Sequence, residues 1–188
     1  FYQNEYQAQL PENRHYLKWE ASGHLHITPG NATDFDVIGD HIAGRRAEGD
    51  QGKVAEPGFL QRFAVEELDY DPKFAPYFVK KLMEKGVPAV EIGQNPTTFT
   101  APIIEVENLV LTGQLVHEES PVMDWMISNA KKLTSKFNGL SQIGKDRESE
   151  KIDGVLAMLM AIARATAAEF EAPQGDIDDF ISNPIIVG

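Results

Sequence analysis

The chain has 188 residues, 42% of them hydrophobic and 24% charged, which suits one soluble globular domain with its own core. It contains no cysteine, so disulfides, thiolate metal sites and cysteine nucleophiles are excluded, in keeping with a reducing cytoplasm. The formal net charge of −12 argues against a protein that grips DNA tightly by itself, although clustered carboxylates that hold divalent cations offset part of such a charge. No run approaches the roughly eighteen apolar residues of a membrane span, and no secretory signal pattern opens the chain.

Residues 1–15 are polar and aromatic, with no recognisable element start. His24 to Thr28 alternates and ends at Pro29-Gly30, which predicts a short strand and turn. His24 and His26 would share one face of that strand, a zinc-like spacing with no third ligand, so a surface pair is the simpler reading. Asp34 to Ile42 predicts a helix with Phe35, Ile38 and Ile42 on one side. Gly44 to Gly58 is charged and glycine-rich, read as a surface loop or a frayed helix end. Phe63 to Tyr70 predicts a strand, and Asp71-Pro72 then gives a helix start, an acidic cap with proline at the first helical position. That helix would run to Lys85 and stop at Gly86, with a further strand over Val87 to Ile92.

Phe99, Ile103, Val106 and Val110 mark a helix from Thr97 to Leu111, followed by a short extended piece over Gln114 to His117. Ser120-Pro121 starts another helix through Asn129 or Lys131. Asn138-Gly139, between Lys132–Phe137 and Leu140–Ile143, is the pair favoured in a two-residue hairpin turn. A long helix follows from about Ser149 to Phe170, with Ile152, Val155, Leu156, Leu159, Met160 and Ala163 on its buried face. Residues 1–172 therefore read as one domain and 173–188 as an acidic tail. Strands alternating with helices argue for an α/β sheet with helices packed on it.

Two carboxylates stand at element ends. Asp153 lies at the edge of the apolar stripe near a helix N-terminus, where it is either a cap or a metal ligand. Asp71 lies where a strand ends, the usual edge for active sites in α/β sheets, and is open to the same two readings. Asp69 shares its strand face and is the substitute ligand if the register slips. Gly139 to Asp146 nearly spells a phosphate-binding P-loop but ends on Asp146 where Ser or Thr should bind magnesium, and it follows a hairpin turn, so it is rejected. Lys131, Lys132 and Lys136 make the hairpin locally basic, the best candidate for touching DNA; a solvated edge strand gives the same pattern. Trp19 and Trp125 read as packing residues.

Several motifs occur in a specific order: Tyr16-Leu-Lys-Trp19, Gly23-His-Leu-His-Ile-Thr28-Pro-Gly30, Tyr70-Asp71-Pro72, Gly113-Gln-Leu-Val-His117, Ser120 to Asn129, a hairpin, Lys145, and the helix opened by Lys151-Ile152-Asp153. Together they resemble the C-terminal nuclease domain of the large terminase subunit of tailed phages, from about Tyr16 to Ala168. The resemblance implies a ribonuclease-H-like fold, a mixed sheet flanked by helices. It implies cleavage of concatemeric double-stranded DNA during genome packaging, in the bacterial cytoplasm. It also implies metal-binding acids at Asp71 and Asp153 and two Mg2+ or Mn2+ ions. Lys145 reads as lying near the metal site or DNA phosphates, or equally as a solvated lysine. An ATPase domain, a small terminase subunit and a portal would be the parent's partners. His117 matches a family position and reads as structural or DNA-adjacent. The family's earlier aspartate, on the first core strand, has no match, because Asp34 and Asp36 follow Trp19; the chain reads as beginning after the first strands. The rival is a non-catalytic acidic docking module of a packaging motor, in which both aspartates are ordinary caps. Another hydrolase is disfavoured by the absence of cysteine and of Gly-x-Ser-x-Gly.

Overall fold

The computed structural model describes residues 1–46, 54–73 and 76–170. The N-terminal fifteen residues, unreadable from sequence, form β1 (Tyr2–Asn4) and α1 (Glu5–Gln9), then a short 3-10 turn over Pro11–Asn13. Asn4 starts α1 by accepting the N–H of Gln7 at 2.9 Å. Next come α2 (His15–Ala21) and β2 (His26–Thr28), and β2 pairs parallel to β1. Parallel pairing requires a crossover, which α1 and α2 supply.

Asp34 caps α3 (Phe35–Ala43), accepting the N–H groups of Asp36 and Val37 at 2.9 and 3.3 Å. Gly44, at φ +81°, turns the chain out of the helix. Gly44 to Gly58, expected as a surface loop or a frayed helix end, carries strand among its described residues. There β3 (Arg45–Arg46) and β4 (Val54–Glu56) pair antiparallel, and α4 (Phe59–Arg62) follows.

The expected strand over Phe63 to Tyr70 shortens to β5 (Leu68–Tyr70), because Phe63 to Val65 lie exposed with no partner strand among the described residues. β5 pairs parallel to β6 (Ala89–Glu91), joined through α5 (Pro76–Glu84). Residues 71–73 are not helical, contrary to the Asp71-Pro72 signal, and the described part of the helix begins at Pro76. Asn95 and Ser120 cap α6 (Pro96–Leu111) and α7 (Pro121–Asn129), each with proline in the first turn. Gln114 to His117 forms no strand.

Antiparallel β7 (Lys131–Thr134) and β8 (Ser141–Gly144) make the hairpin. Its connection is longer than two residues: Ser135 N–H bonds the Leu140 carbonyl at 2.9 Å, and Gly139, at φ +71°, closes the loop. α8 (Asp153–Phe170) ends the described chain, and the predicted tail at 173–188 lies outside the described residues. Among the described residues the strands therefore form four two-stranded ladders, two parallel and two antiparallel, rather than one mixed sheet.

The main core joins α6, α7 and α8 through Phe99, Ile103, Val122, Met126, Val155, Leu159 and Met160. A smaller cluster of Ala8, Tyr16 and Leu25 secures the N-terminal unit. Trp19 and Trp125 pack against both clusters, 5.5 Å apart, so the two tryptophans fasten one unit to the other.

Candidate active site

Residues 67 to 71 run through β5 and its two ends. Glu67, Asp69 and Asp71 line a cleft of about 460 Å³ together with Asp153, Leu156 and Met160 of α8. Phe35, Ile42, Phe78 and Val79 complete an apolar wall, and Gln94 adds a neutral amide.

Arg164 sets the register of helix against strand. Its Nε and Nη2 donate to the two Glu67 carboxylate oxygens at 2.6 and 3.0 Å, a bidentate pair. From Glu67 to Asp71 an extended chain advances ~13 Å. From Arg164 back to Asp153 the helix runs ~16 Å. Asp71 and Asp153 line the same cleft, each some way along its own element from the ion pair.

Asp71 does not cap α5. Its carboxylate instead accepts the Lys73 N–H at 2.8 Å, a tight turn made by the aspartate itself. That bond fixes the half-buried carboxyl group at the strand end. Asp153 is the first residue of α8 and its side chain is exposed. Leu156 N–H bonds the Ile152 carbonyl at 3.0 Å, which puts Ile152, a residue without a side-chain acceptor, at the cap position. The Gly154 N–H is directed at the Met126 sulfur at 3.1 Å, a weak acceptor. The positive end of α8, which carries Asp153 in its first turn, is therefore poorly compensated by hydrogen bonds. Asp153 also helps to raise the Tyr16 hydroxyl pKa, second to burial of that ring.

Asp69 lies between these groups in the sequence of the cleft. One of its carboxylate oxygens is buried with no hydrogen-bond partner among the described residues. Burial, then the Glu67 charge, push its pKa up, and Arg164 opposes them. Glu67 is held below its ordinary value, mainly by the Arg164 hydrogen bond. Among the described residues no three Asp, Glu or His side chains are gathered tightly enough to enclose a metal ion.

A family model for the terminase large subunit endonuclease domain matches residues 47–169. This chain belongs to that family.

Protein YmfN of Escherichia coli (strain K12) is 28% identical over 180 residues, covering 93% of this chain and 36% of YmfN. The terminase large subunit of Enterobacteria phage HK97 is 26% identical over 170 residues, covering 90% of this chain and 31% of the phage protein. This terminase endonuclease domain thus spans about a third of the length of these relatives. The crystal structure of the HK97 bacteriophage large terminase superposes with a TM-score of 0.69 at 22% identity, over 87% of this chain and 32% of that one. The match supports the α/β, ribonuclease-H-like fold class expected from the sequence, with its strands arranged as described above.

Other residues singled out in the terminase motifs have defined places. Lys131 pairs with Asp146, and Lys132 with Glu107 at 2.7 Å. Lys145 donates to the carbonyls of Glu148 and Glu150 at 2.8 and 2.9 Å, shaping the loop that leads into α8. Lys136 is exposed at the hairpin loop. His117 is exposed, its Nδ1 3.4 Å from the Glu118 carbonyl.

His24 and His26 do not share a strand face, because β2 begins only at His26. His26 instead meets His41, ring to ring at 5.0 Å, and the Tyr2 hydroxyl lies 2.6 Å from His41 Nδ1. These groups line a second cavity of about 390 Å³ with Arg45, Glu56 and Arg62. Sequence reasoning missed both this cavity and the Glu67–Arg164 pair. The pair's partners lie 97 positions apart, beyond the reach of any local pattern.

Proposed function

We propose that this domain is the DNA-cutting module of a phage or prophage terminase large subunit, hydrolysing concatemeric double-stranded DNA with Mg2+ or Mn2+ held by Asp71 and Asp153. The observation that carries the reading is one cleft lined by both aspartates, each at the end of its own element.

The donor chemistry fits. The carboxylate oxygens of Asp71 and Asp153 suit magnesium and manganese. Magnesium keeps several waters and is commonly held by one or two carboxylates plus substrate phosphates. Two aspartates without a tight third ligand are therefore compatible with an ion completed by DNA. When bound, such ions supply an activated water and stabilise the departing 3′ oxygen of an in-line displacement.

The protein's own groups do the rest. The Lys73 N–H orients one Asp71 oxygen and leaves the other for the cation. The α8 N-terminus presents its positive end beside Asp153, where it would attract substrate phosphate. The wall of Phe35, Ile42 and Phe78 lowers the local dielectric and strengthens each electrostatic contact at the reacting phosphate. The Gln94 amide is placed in the lining to donate to a phosphate oxygen. In the parent protein, an ATPase domain, a small terminase subunit and a portal would deliver the DNA in the bacterial cytoplasm, which relieves an acidic domain of the need to bind DNA tightly alone.

The test is nicking of supercoiled plasmid with Mn2+, alongside calorimetric titration of Mn2+. Asp71→Asn and Asp153→Asn should each abolish nicking and weaken Mn2+ binding by roughly tenfold or more, with thermal unfolding unchanged within a few degrees. Retained fold with unaltered Mn2+ binding in both variants would favour the acidic docking module instead.

A further inference from the structure

The β7–β8 hairpin carries an aromatic residue that the fold does not use. Phe137 is 98% exposed. It sits in a well-defined loop, with its own N–H 3.3 Å from Ser135 Oγ and Leu140 N–H bonded to Asn138 Oδ1 at 3.2 Å. The surrounding segment from Lys131 to Lys145 contains four lysines and no acidic residue, within a chain of net charge −12.

The base of this hairpin is fastened beside the candidate site. Asn129, at the end of α7, donates to the Lys151 carbonyl at 3.1 Å, and Lys145 donates to the Glu150 carbonyl at 2.9 Å. Both bonds fall within three residues of Asp153, so the hairpin projects from the end of α8 that bears the aspartate. At the far end of the hairpin, Lys136 makes no ion pair among the described residues and stands next to Phe137. Lys131 and Lys132 are held in exposed pairs, of the kind worth little and readily exchanged for a phosphate.

We infer that the hairpin loop is a DNA-engaging wedge: Phe137 stacks against a base step near the cut while Lys136 takes an adjacent phosphate. This deepens the nuclease reading and rests on it. Duplex DNA fits the surface better than a protein partner does. Lysine is depleted from protein–protein interfaces, whereas a projecting apolar side chain flanked by lysines is how many proteins unstack and bend a duplex. Stacking an aromatic side chain on a base tolerates any sequence, which suits an enzyme that must cut along a long concatemer.

The experiment is fluorescence anisotropy of a labelled duplex carrying 2-aminopurine, with the 188-residue chain and Ca2+ in place of Mg2+. Phe137→Ala should weaken binding by roughly fivefold to tenfold and remove the 2-aminopurine signal of unstacking. Phe137→Trp should keep the affinity, with its added indole quenched by DNA. Lys136→Ala should weaken binding less and reduce the salt slope by about one unit. Wild-type affinity and unstacking in Phe137→Ala, with Asp153-dependent nicking intact, would overturn the wedge and leave the nuclease reading standing. A wild-type chain that neither binds nor nicks duplex DNA would overturn both.

Discussion

Gly58 leaves no room for a side chain. A Cβ there would lie 2.4 Å from the Gly44 nitrogen and 2.6 Å from the Ile42 carbonyl oxygen. Its φ of −87° is ordinary, so the constraint is backbone packing of α3 against α4 rather than conformational freedom. Gly58→Ala should cost about 1–3 kcal/mol, read as a lower denaturant midpoint; an unchanged midpoint would contradict the packing. His15 gives a pH signature of its own. Its ring is packed 4.5 Å from Trp19 and 5.1 Å from Trp125, and burial lowers its pKa below the ordinary 6.5, opposed by a hydrogen bond from the ring to the Glu12 backbone carbonyl. A base lowered in this way is neutral in the fold and takes up its proton more readily when unfolded. Stability should therefore fall as pH drops below about 6.5, down through the lowered value, and His15→Phe should remove that part of the slope. Asp71 shows what a single residue's sequence signal leaves open. Asp-Pro reads as a helix cap or a ligand, but the carboxylate turns on the Lys73 N–H and residues 71–73 are not helical. Nothing in the local pattern separates a cap from a self-made turn, since both satisfy a nearby N–H with the same oxygen.

Among the elements, the pairing of β5 with α8 decides the geometry of the cleft, and its charges act in opposite directions. Glu67 is held low by its Arg164 bond, so its contribution to stability is present above its unfolded pKa and is lost as pH falls through the folded value. Asp69 is pushed up by burial, so it opposes folding once ionised, and stability is lost as pH rises through its raised value. Glu67→Gln should accordingly flatten the acid-side loss in a pH series of thermal unfolding, whereas Asp69→Asn should deepen it; the same sign from both would contradict this account. Helices with strong boundary chemistry were legible in the sequence. Asp34, Asn95-Pro96 and Ser120-Pro121 announce α3, α6 and α7, and the apolar stripe announces α8. Short elements were not legible. α1 and α2 are too brief to show a period, and Phe63 to Val65 look strand-like by composition but have no neighbouring strand to pair with among the described residues. The hairpin was placed correctly while its turn was drawn too tight, because Asn-Gly sits inside a loop closed by Ser135 and Leu140.

At the scale of the molecule, the two aspartates became candidates through ordered motifs spread over the chain, not through any one strong signal. The fold then lines one cleft with both of them, although they stand 82 positions apart in the sequence. The acidic balance and the lysine-bearing hairpin fit the proposed function, in which cations and a larger packaging protein would hold the DNA. The most direct measurement is a crystal of this chain soaked in Mn2+, with anomalous scattering locating the metal. The account predicts an anomalous peak coordinated by carboxylate oxygens of both Asp71 and Asp153, at the roughly 2.1–2.3 Å expected of such ligands. Carboxylates more than roughly 15 Å apart, with no metal beside either and each serving only its own turn or helix end, would contradict it.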